Sequence, residues 1–368
     1  MNISVVGIGK LGLCFSLTLE KAGYDVVGVD INEDYVGKIN NRTLQSPEAG
    51  VVEALKQCNS FKATTSLKEA VDHSNFLFVV VATPSLANGR YNHSQVDSLV
   101  EKLIELGDPA HEKHLIICCT VMPGYCDTVK EKLNNLNYTV SYNPEFIAQG
   151  TILRDQSHPD MVLIGEGKKE VGDALEEIYR KHTVNNPKIC RMSPLEAEIT
   201  KISLNCFLTT KIAYANMIGD IVQEAGGDPH KVLNAIGQDS RIGNKYLGYG
   251  YGYGGPCFPR DNRALSIFAS DVGLEALISD ASDKSNMKHL QNQINHHVKH
   301  NSPDQEIIFN YVTYKPESTL LVESQQLAYA VGLAREGYKI RIQERPEVID
   351  ILKRDYGDLF SYEERKND

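Results

Sequence analysis

The N-terminal stretch up to Asp30 follows the order strand, glycine-rich turn, helix, strand and acidic residue, and this order constrains the fold more than any other part of the chain. A β-branched run from Ile3 leads into Gly7-Ile-Gly-Lys-Leu-Gly12, which fits G-x-G-x-x-G, and an apolar-striped helix pattern follows. In such a βαβ unit the glycines admit a pyrophosphate at the helix N-terminus, and the acid binds ribose hydroxyls. The order therefore predicts a dinucleotide-binding Rossmann unit with cofactor contacts at Gly7, Ile8, Gly9, Lys10, Leu11, Gly12 and Asp30.

The carboxylate of Asp30 also distinguishes between the two nicotinamide cofactors. It repels the additional 2′-phosphate of NADP, so the sequence predicts NAD. A glycine turn of this kind would be weak evidence alone, but here two strand patterns and the terminal acid accompany it.

Two continuous apolar runs further along the chain predict buried parallel strands. The first runs from Phe76 to Ala82 and ends at Thr83, and the second starts at His114 and ends at Thr120. Ligands of doubly wound sheets bind beyond the carboxyl ends of the strands, which makes both threonines candidate cofactor contacts. On position alone, a hydroxyl that caps a turn or a helix explains each threonine equally well.

A polar segment, Asn143-Pro-Glu-Phe-Ile, separates two short strand patterns. Its carboxylate, Glu145, is either a solvated loop acid or a member of a site. The longest helical pattern follows from Ser193 and predicts a spine between domains or a dimer contact. Within it Lys201 and Asn205 are four residues apart and share a face. Together they can present two donors to an oxyanion, although a solvated lysine beside an amide explains them equally well.

A loop rich in glycine and tyrosine runs from Arg241 to Gly255 and leads to Cys257. The glycines predict an adaptable backbone, and the alternating tyrosines offer stacking surfaces to a ligand. Because Pro259 marks the first turn of a helix, Cys257 lies just before a helix N-terminus, where a thiolate is favoured. Asp261 returns to the same side of that helix and can exchange a proton through a water. The alternative is a disordered linker with an inactive cysteine.

Beyond a boundary at 301–304, a strand–helix–strand pattern indicates a small second α/β unit, and the polar tail 362–368 is expected to fray. The sequence therefore predicts an α/β fold of two Rossmann-like doubly wound units joined by a long central helix, with a shortened C-terminal unit. We expect an NAD-binding domain at 1–192, a central helical domain with the cysteine loop and a dimer contact at 193–300, and a C-terminal α/β domain at 301–368.

Composition excludes several other classes of partner. The formal net charge of −10 argues against nucleic acid and anionic membrane surfaces. No apolar run reaches the ~20 residues that span a bilayer, and the N-terminus carries no signal-peptide pattern. The eight cysteines include no C-x-x-C pair, and His296-His297 has no further ligand at metal spacing. We therefore expect a cytoplasmic protein with reduced thiols and no metal site.

In the order of its motifs the chain resembles the UDP-glucose/GDP-mannose dehydrogenase family, over nearly all residues to about 345. The resemblance is specific because several independent motifs occur in one order. They are Gly7-x-Gly9-x-x-Gly12, Thr120-Val-x-Pro-Gly124, Asn143-Pro-Glu-Phe146, Glu196-Ala-Glu-x-x-Lys201-x-x-x-Asn205, Arg241-Ile-Gly-Asn-Lys245 and Gly254-Gly-x-Cys257-x-x-x-Asp261.

The resemblance implies an NAD-dependent, four-electron oxidation of a sugar nucleotide, with UDP-glucose as the expected substrate and UDP-glucuronate as the product. It implies that Cys257 forms a thiohemiacetal and then a thioester. Lys201 and Asn205 would bind the oxyanion. Asp261 with an ordered water, together with Thr120, would handle protons, and Glu145 would assist thioester hydrolysis. The implied substrate contacts are Glu145, Phe146, Ile147, Lys201, Asn205, Arg241, Tyr246, Leu247, Tyr249, Gly254 and Lys315.

The resemblance also implies that the C-terminal domain at 301–368 binds the sugar nucleotide. It further implies a homodimer formed through the central helix, and Arg241 would reach across this dimer. Three features depart from the family pattern: Gln149 stands where many relatives carry a second acid, Val322 stands where relatives carry arginine, and the C-terminal unit is short. These departures bear on how the nucleotide is held. Two other functions stay open here. One is a two-electron β-hydroxyacid dehydrogenase of the same plan, which needs no cysteine, and the other is a binder of NAD or sugar nucleotide with weakened activity.

Overall fold

The computed structural model describes residues 1–147, 150–316 and 318–365 of the chain. The chain divides into two compact units, Met1–Lys201 and Ile202–Asp368, and each has a sheet and a core of its own. Gln149, at which the sequence departs from the family pattern, lies outside the described residues. The boundaries expected for three domains stay a prediction.

The first unit is built on a sheet in which eight strands are described, ordered β3-β2-β1-β4-β5-β6-β7-β8. The strands are β1 (Asn2–Val6), β2 (Asp25–Val29), β3 (Lys62–Thr64), β4 (Phe76–Val79), β5 (Lys113–Ile117), β6 (Tyr138–Tyr142), β7 (Met161–Gly165) and β8 (Lys188–Met192). Neighbours pair in parallel except β6 and β7, which meet in an antiparallel contact of Tyr142 with Gly165. The first six strands have the Rossmann order, and the order reverses between β1 and β4, where such sheets bind their ligands. The predicted doubly wound fold is confirmed.

Helices cover both faces of this sheet, which explains why its central strands are apolar throughout. Phe78 of β4 packs with Phe15 on one face, with ring centroids 5.2 Å apart, while its neighbours Leu77 and Val79 join the core of the other face. The covering helices are α1 (Lys10–Lys21), α2 (Glu33–Asn40), α3 (Val51–Gln57), α4 (Leu67–His73), α5 (Ser94–Leu106), α6 (Tyr125–Lys132), α7 (Ile152–Ser157) and α8 (Lys169–His182).

Strands β4 and β5 end three residues earlier than their apolar runs predict, at Val79 and Ile117. The last ladder bond of β4 runs from Val80 N to Val6 O over 2.8 Å. Beyond it β1 turns away at Gly7, where φ is +90°, and so leaves β4 without a partner strand on that side. Thr83 and Thr120 therefore lie in the connections beyond the strands and not at their last positions.

The long central helix α9 spans Pro194–Glu224, close to the predicted limits. Its start is a capping box, as the sequence predicts: Ser193 N donates to Glu196 Oε2 over 2.8 Å, and Glu196 N donates to Ser193 Oγ over 3.4 Å. The division between the two compact units falls within this helix, after Lys201.

The second unit combines helices with a small parallel sheet, whose described strands have the order β11-β10-β9. Its elements are α10 (Pro229–Gly237), α11 (Phe258–Asp271), α12 (Leu277–His300), β9 (Ile307–Phe309), α13 (Gln325–Arg335), β10 (Ile340–Glu344), α14 (Pro346–Tyr356) and β11 (Ser361–Glu364). The expectation that the tail frays from Tyr362 onward is wrong for 362–364. Tyr362 pairs with Ile342 of β10, and its hydroxyl lies 2.9 Å from Gly357 O. The segment is polar because β11 is an edge strand of the described sheet, and edge strands are commonly rich in charged side chains.

Candidate functional site

The glycine turn after β1 has the geometry that a dinucleotide requires. A Cβ at Gly7 would lie 2.6 Å from Val80 O, and a Cβ at Gly12 would lie 2.1 Å from Gly7 O, so neither position accepts a larger residue. A Cβ at Gly9 would meet nothing within 4 Å. Gly9 is also the N-cap of α1, so the open space lies where the helix presents backbone N–H groups. The turn thus leaves open space beside backbone N–H groups, an environment that suits a pyrophosphate.

The other predicted cofactor residues follow strands β2, β4 and β5. Asp30 comes directly after β2, and its Oδ1 accepts a hydrogen bond from Asn32 N over 3.1 Å. Thr83 is buried, and its hydroxyl donates to Thr120 O over 2.6 Å. This bond joins the connections that follow β4 and β5. The Thr83 hydroxyl thus holds the backbone in place, in agreement with the alternative interpretation of a structural, capping hydroxyl. It does so at the edge of the sheet where such folds bind their ligands.

Glu145 and Lys201 lie together in the first unit. Lys201 Nζ donates to the backbone oxygen of Glu145 over 2.5 Å and lies 4.2 Å from the ring centroid of Phe146. Burial raises the pKa of the Glu145 carboxyl to about 7, although the ammonium of Lys201 and the hydroxyl of Tyr179 act in the opposite direction. The carboxyl therefore exchanges its proton near neutral pH, as a general acid or base must. Ile147 follows and packs against the core of one sheet face.

Two buried carboxylates hold the segments that follow Thr120 and Glu145. Sequence reasoning missed both. Glu198 of α9 accepts hydrogen bonds from Gly124 N over 2.6 Å and from Cys126 N over 2.8 Å, at the start of α6. Glu48 accepts from Gly150 N over 2.9 Å and from Ile152 N over 2.8 Å, at the start of α7. Both satisfy N–H groups that a helix leaves unpaired. Glu198 thereby fixes the segment that follows Thr120, and Glu48 the segment that follows Glu145.

In the second unit Cys257 is the N-cap residue of α11, as the proline in the first turn predicts, and its side chain is exposed. Asp261, one turn further, is fully buried, and its backbone N donates to Cys257 O over 2.9 Å. Its carboxylate accepts hydrogen bonds from Asn205 Nδ2 over 2.6 Å and from Arg260 Nε over 3.2 Å. The structure therefore brings Asn205 and Asp261 together beside the helix start that carries the cysteine.

The residues 246–255, here called the Gly/Tyr loop, are folded, which contradicts the alternative of a disordered linker. The hydroxyl of Tyr249 lies 2.7 Å from Gln223 Oε1 of α9, and the side chain of Leu247 packs in a small core. Tyr246 is exposed, has a positive φ of 61° and lies near Phe258, with ring centroids 6.3 Å apart. Tyr246 thus keeps an accessible ring, whereas Tyr249 and Leu247 are engaged within the unit.

Gly254 and its neighbour lie against the segment that contains Val322. A Cβ at Gly254 would lie 2.1 Å from Glu323 O, and Gly255 N donates to Val322 O over 3.1 Å. The side chain of Val322 is half exposed. Lys315 Nζ lies 5.8 Å from the ring centroid of Tyr314, whose ring a Cβ at Gly255 would contact.

The remaining predicted contact, Arg241, is exposed and forms a paired contact with Asp239. Its Nε lies 3.0 Å from Asp239 Oδ1, and its Nη2 lies 2.7 Å from Oδ2.

Comparison with known proteins identifies the family. The profile described as UDP-glucose/GDP-mannose dehydrogenase family, NAD binding domain, matches residues 1–183, and that of the central domain of the same family matches residues 195–288. The chain belongs to the UDP-glucose/GDP-mannose dehydrogenase family. It is thus an oxidoreductase of a family of NAD-dependent sugar-nucleotide dehydrogenases, and its cofactor is NAD.

Relatives within the UDP-glucose/GDP-mannose dehydrogenase family differ in substrate. A GDP-mannose 6-dehydrogenase from Pseudomonas aeruginosa is 30% identical over 94% of this chain and 81% of its own length. A UDP-glucose 6-dehydrogenase from Rickettsia felis is also 30% identical, over 80% of this chain and 66% of its own length. A solved UDP-glucose dehydrogenase from Pyrobaculum islandicum is 27% identical and superimposes with a TM-score of 0.86, covering 99% of this chain and 86% of that one.

Neither a metal cluster nor a membrane span is found in this family member within the described ranges. In that part of the chain no group of three or more His, Cys, Asp and Glu side chains is arranged to hold a metal ion. Of the helices in the same ranges, none combines the length and the apolar character needed to cross a membrane. All eight cysteines are thiols, and Cys257 is the exposed one among them.

Proposed function

We propose that the protein oxidises UDP-glucose to UDP-glucuronate in a four-electron reaction through a thioester on Cys257. The observation that carries this proposal is the exposed thiol at the N-terminus of α11, one turn before a buried Asp261 that Asn205 holds. NAD, when bound, accepts the hydride that each of the two oxidations releases. The glycine turn 7–12 and the N-terminus of α1 would hold its pyrophosphate, and Asp30 the adenosine ribose.

Each step of the proposed reaction is assigned to particular residues of this chain. The primary alcohol loses a proton and a hydride to become the aldehyde, with Asp261, an ordered water and Thr120 handling protons. Cys257 Sγ then adds to the aldehyde carbon, and the C–S bond keeps the reactive aldehyde from leaving. Lys201 and Asn205 stabilise the negative charge on the former carbonyl oxygen.

Loss of a second hydride converts the thiohemiacetal into the thioester. Glu145, with a pKa raised by burial to about 7, takes a proton from the attacking water. The C–S bond breaks, the carboxylate forms and the thiolate returns. Substrate contacts come from Phe146, Ile147, Arg241, Tyr246, Leu247, Tyr249, Gly254 and Lys315; Leu247 and Tyr249 would act mainly through the backbone, because their side chains are engaged in the unit.

A screen of NADH release against UDP-glucose, GDP-mannose, UDP-N-acetylglucosamine and UDP-N-acetylmannosamine tests the substrate and the reaction together. We expect UDP-glucose to have the highest kcat/KM, and the sugar acid and NADH to appear in a ratio of one to two. A higher kcat/KM for GDP-mannose would contradict the choice of substrate. One NADH per product would favour the two-electron dehydrogenase, and binding without NADH release would favour the non-catalytic binder.

We further propose a homodimer formed through α9. Exposed apolar side chains follow one stripe of this helix, because their spacing returns to one face of a 3.6-residue repeat. They are Phe207, Tyr214, Met217 and Ile221, each more than 40% exposed in the single chain. Sedimentation equilibrium should give the dimer mass for the wild type and the monomer mass for Met217→Glu. Leu274→Glu, at a leucine outside α9 that is more exposed than Met217, is the control. A monomeric wild type would refute the dimer.

A further inference from the structure

The Gly/Tyr loop is held in place by side chains of α9 and α12. Asn216 of α9 accepts a hydrogen bond from Gly250 N over 3.1 Å and donates to Tyr251 O over 3.3 Å. Asn286 of α12 accepts from Tyr253 N and donates to Tyr253 O, both over 2.9 Å. These amides clamp the loop backbone at successive points. The position of the loop thus depends on polar side chains that face it from two helices.

His289 of α12 lies at the centre of this arrangement and has no role in the reaction proposed above. Its side chain is 1% exposed. Nδ1 lies 2.8 Å from Asp220 Oδ1 of α9, and Nε2 lies 2.7 Å from the backbone oxygen of Gly250. The imidazole therefore joins a carboxylate on one helix to the Gly/Tyr loop.

Both partners of His289 are hydrogen-bond acceptors, and this decides its protonation. A backbone carbonyl offers no proton, and neither does an ionised carboxylate. A neutral imidazole has one N–H, so either tautomer would leave a nitrogen lone pair facing an oxygen lone pair at 2.8 Å or less. Only the imidazolium donates at both ends.

The groups around the pair agree with an ionised Asp220. Asn292 Nδ2 donates to Asp220 Oδ2 over 2.8 Å, and the Tyr249 hydroxyl lies 3.0 Å from Oδ1. Donors to a carboxylate favour its charged form. Gln293 Nε2 also donates to Gly250 O, over 3.1 Å. Glu224 of α9 and His296 of α12 form a separate contact.

We infer that His289, as an imidazolium paired with Asp220, is a positioning residue that holds the Gly/Tyr loop. It bridges Asp220 to Gly250 O by donating a hydrogen bond at each end. The effect of this bridge on catalysis rests on the proposed function, since that function assigns substrate contacts to Tyr246, Tyr249 and Gly254. The effect of the bridge on the order of the loop is independent of the proposed function.

The first test observes the imidazole and the loop without substrate. Nitrogen-15 spectra of labelled histidine should show two protonated ring nitrogens for His289 at about pH 6 to 7, with the resonance assigned by its loss in His289→Gln. Hydrogen-exchange protection factors for peptides from 246–255 should fall by about tenfold in His289→Gln, in the range of a hydrogen bond to a charged group. His300→Gln, at the exposed end of α12, should match the wild type. A His289 ring with a single proton at pH 6 would overturn the inference.

A variant of the partner separates a specific bridge from a general packing role. Asp220→Asn keeps the shape of the side chain that His289 contacts and removes its charge, so loop protection should fall as in His289→Gln. On the proposed function, KM for the sugar nucleotide should rise in both variants, and kcat should change less. Loop protection in Asp220→Asn equal to that of the wild type would refute the bridge. Because exchange and spectra need no turnover, an inactive enzyme would refute the proposed function and leave this inference standing.

Discussion

Replacing Cys257 by alanine is expected to abolish steady-state formation of the sugar acid while NAD binding is retained. The thiol lies exposed at the N-terminus of α11, where helix N–H groups favour the thiolate that attacks the aldehyde. Without it the second oxidation lacks its covalent intermediate, and acid formation should fall by more than about a thousandfold, as for other covalent nucleophiles. Few packing contacts are lost, because the side chain is exposed, so the fold should survive.

Three measurements make this outcome specific to Cys257. Acid and NADH are quantified at steady state, NAD affinity is measured by fluorescence titration, and a single-turnover experiment tests whether the first hydride transfer persists. Cys190→Ala, at a half-buried thiol on β8, is the matched control and should behave as the wild type. Acid production by Cys257→Ala at close to the wild-type rate would exclude covalent catalysis and reduce the Gly/Tyr loop to a substrate clamp.

The cofactor unit could be predicted from sequence because its determinants are local. Gly7, Gly9 and Gly12 lie within one turn and Asp30 lies one βαβ unit away, so their spacing alone specifies the geometry. The same holds for the capping box of α9 and for Cys257 before α11, where a proline marks the helix start. Each of these predictions depends on residues close in sequence whose backbone conformation has few alternatives.

The hydrogen bonds that hold the segments of the site in place could not be predicted from the sequence, because they join residues far apart in the chain. Glu48 binds the backbone of Gly150 and Ile152, and no periodicity in either segment points to the other. The alternation of glycine and tyrosine suggested stacking surfaces for a ligand. In the structure Tyr249 instead directs its hydroxyl to α9, an outcome that depends on where α9 lies and not on the loop sequence. His289 was likewise indistinguishable in sequence from the other histidines of its helix.

The turnover number is expected to fall as the pH decreases below about 7, because Glu145 must be ionised to activate water. Burial raises the pKa of this carboxyl to about 7, so it is a carboxylate above that pH and a neutral acid below it. One unit below its pKa only about one-tenth of the carboxyl is ionised, so thioester hydrolysis should slow by about tenfold per pH unit. Where hydrolysis limits turnover, the acidic limb of the kcat profile should have an apparent pKa near 7.

Glu145→Gln should remove that limb and leave the acyl-enzyme to accumulate, because the amide cannot take a proton from water at any pH in the range. Mass spectrometry of the acid-quenched enzyme would then find the sugar nucleotide attached to Cys257, whereas the wild type carries little. Glu105→Gln, at an exposed carboxyl of α5, is the control and should retain the acidic limb. If Glu145→Gln turned over normally and kept the same profile, Glu145 would not be the base. The limb would then belong to another group, and the half-buried carboxyl would serve only to hold the segment whose backbone oxygen accepts a hydrogen bond from Lys201.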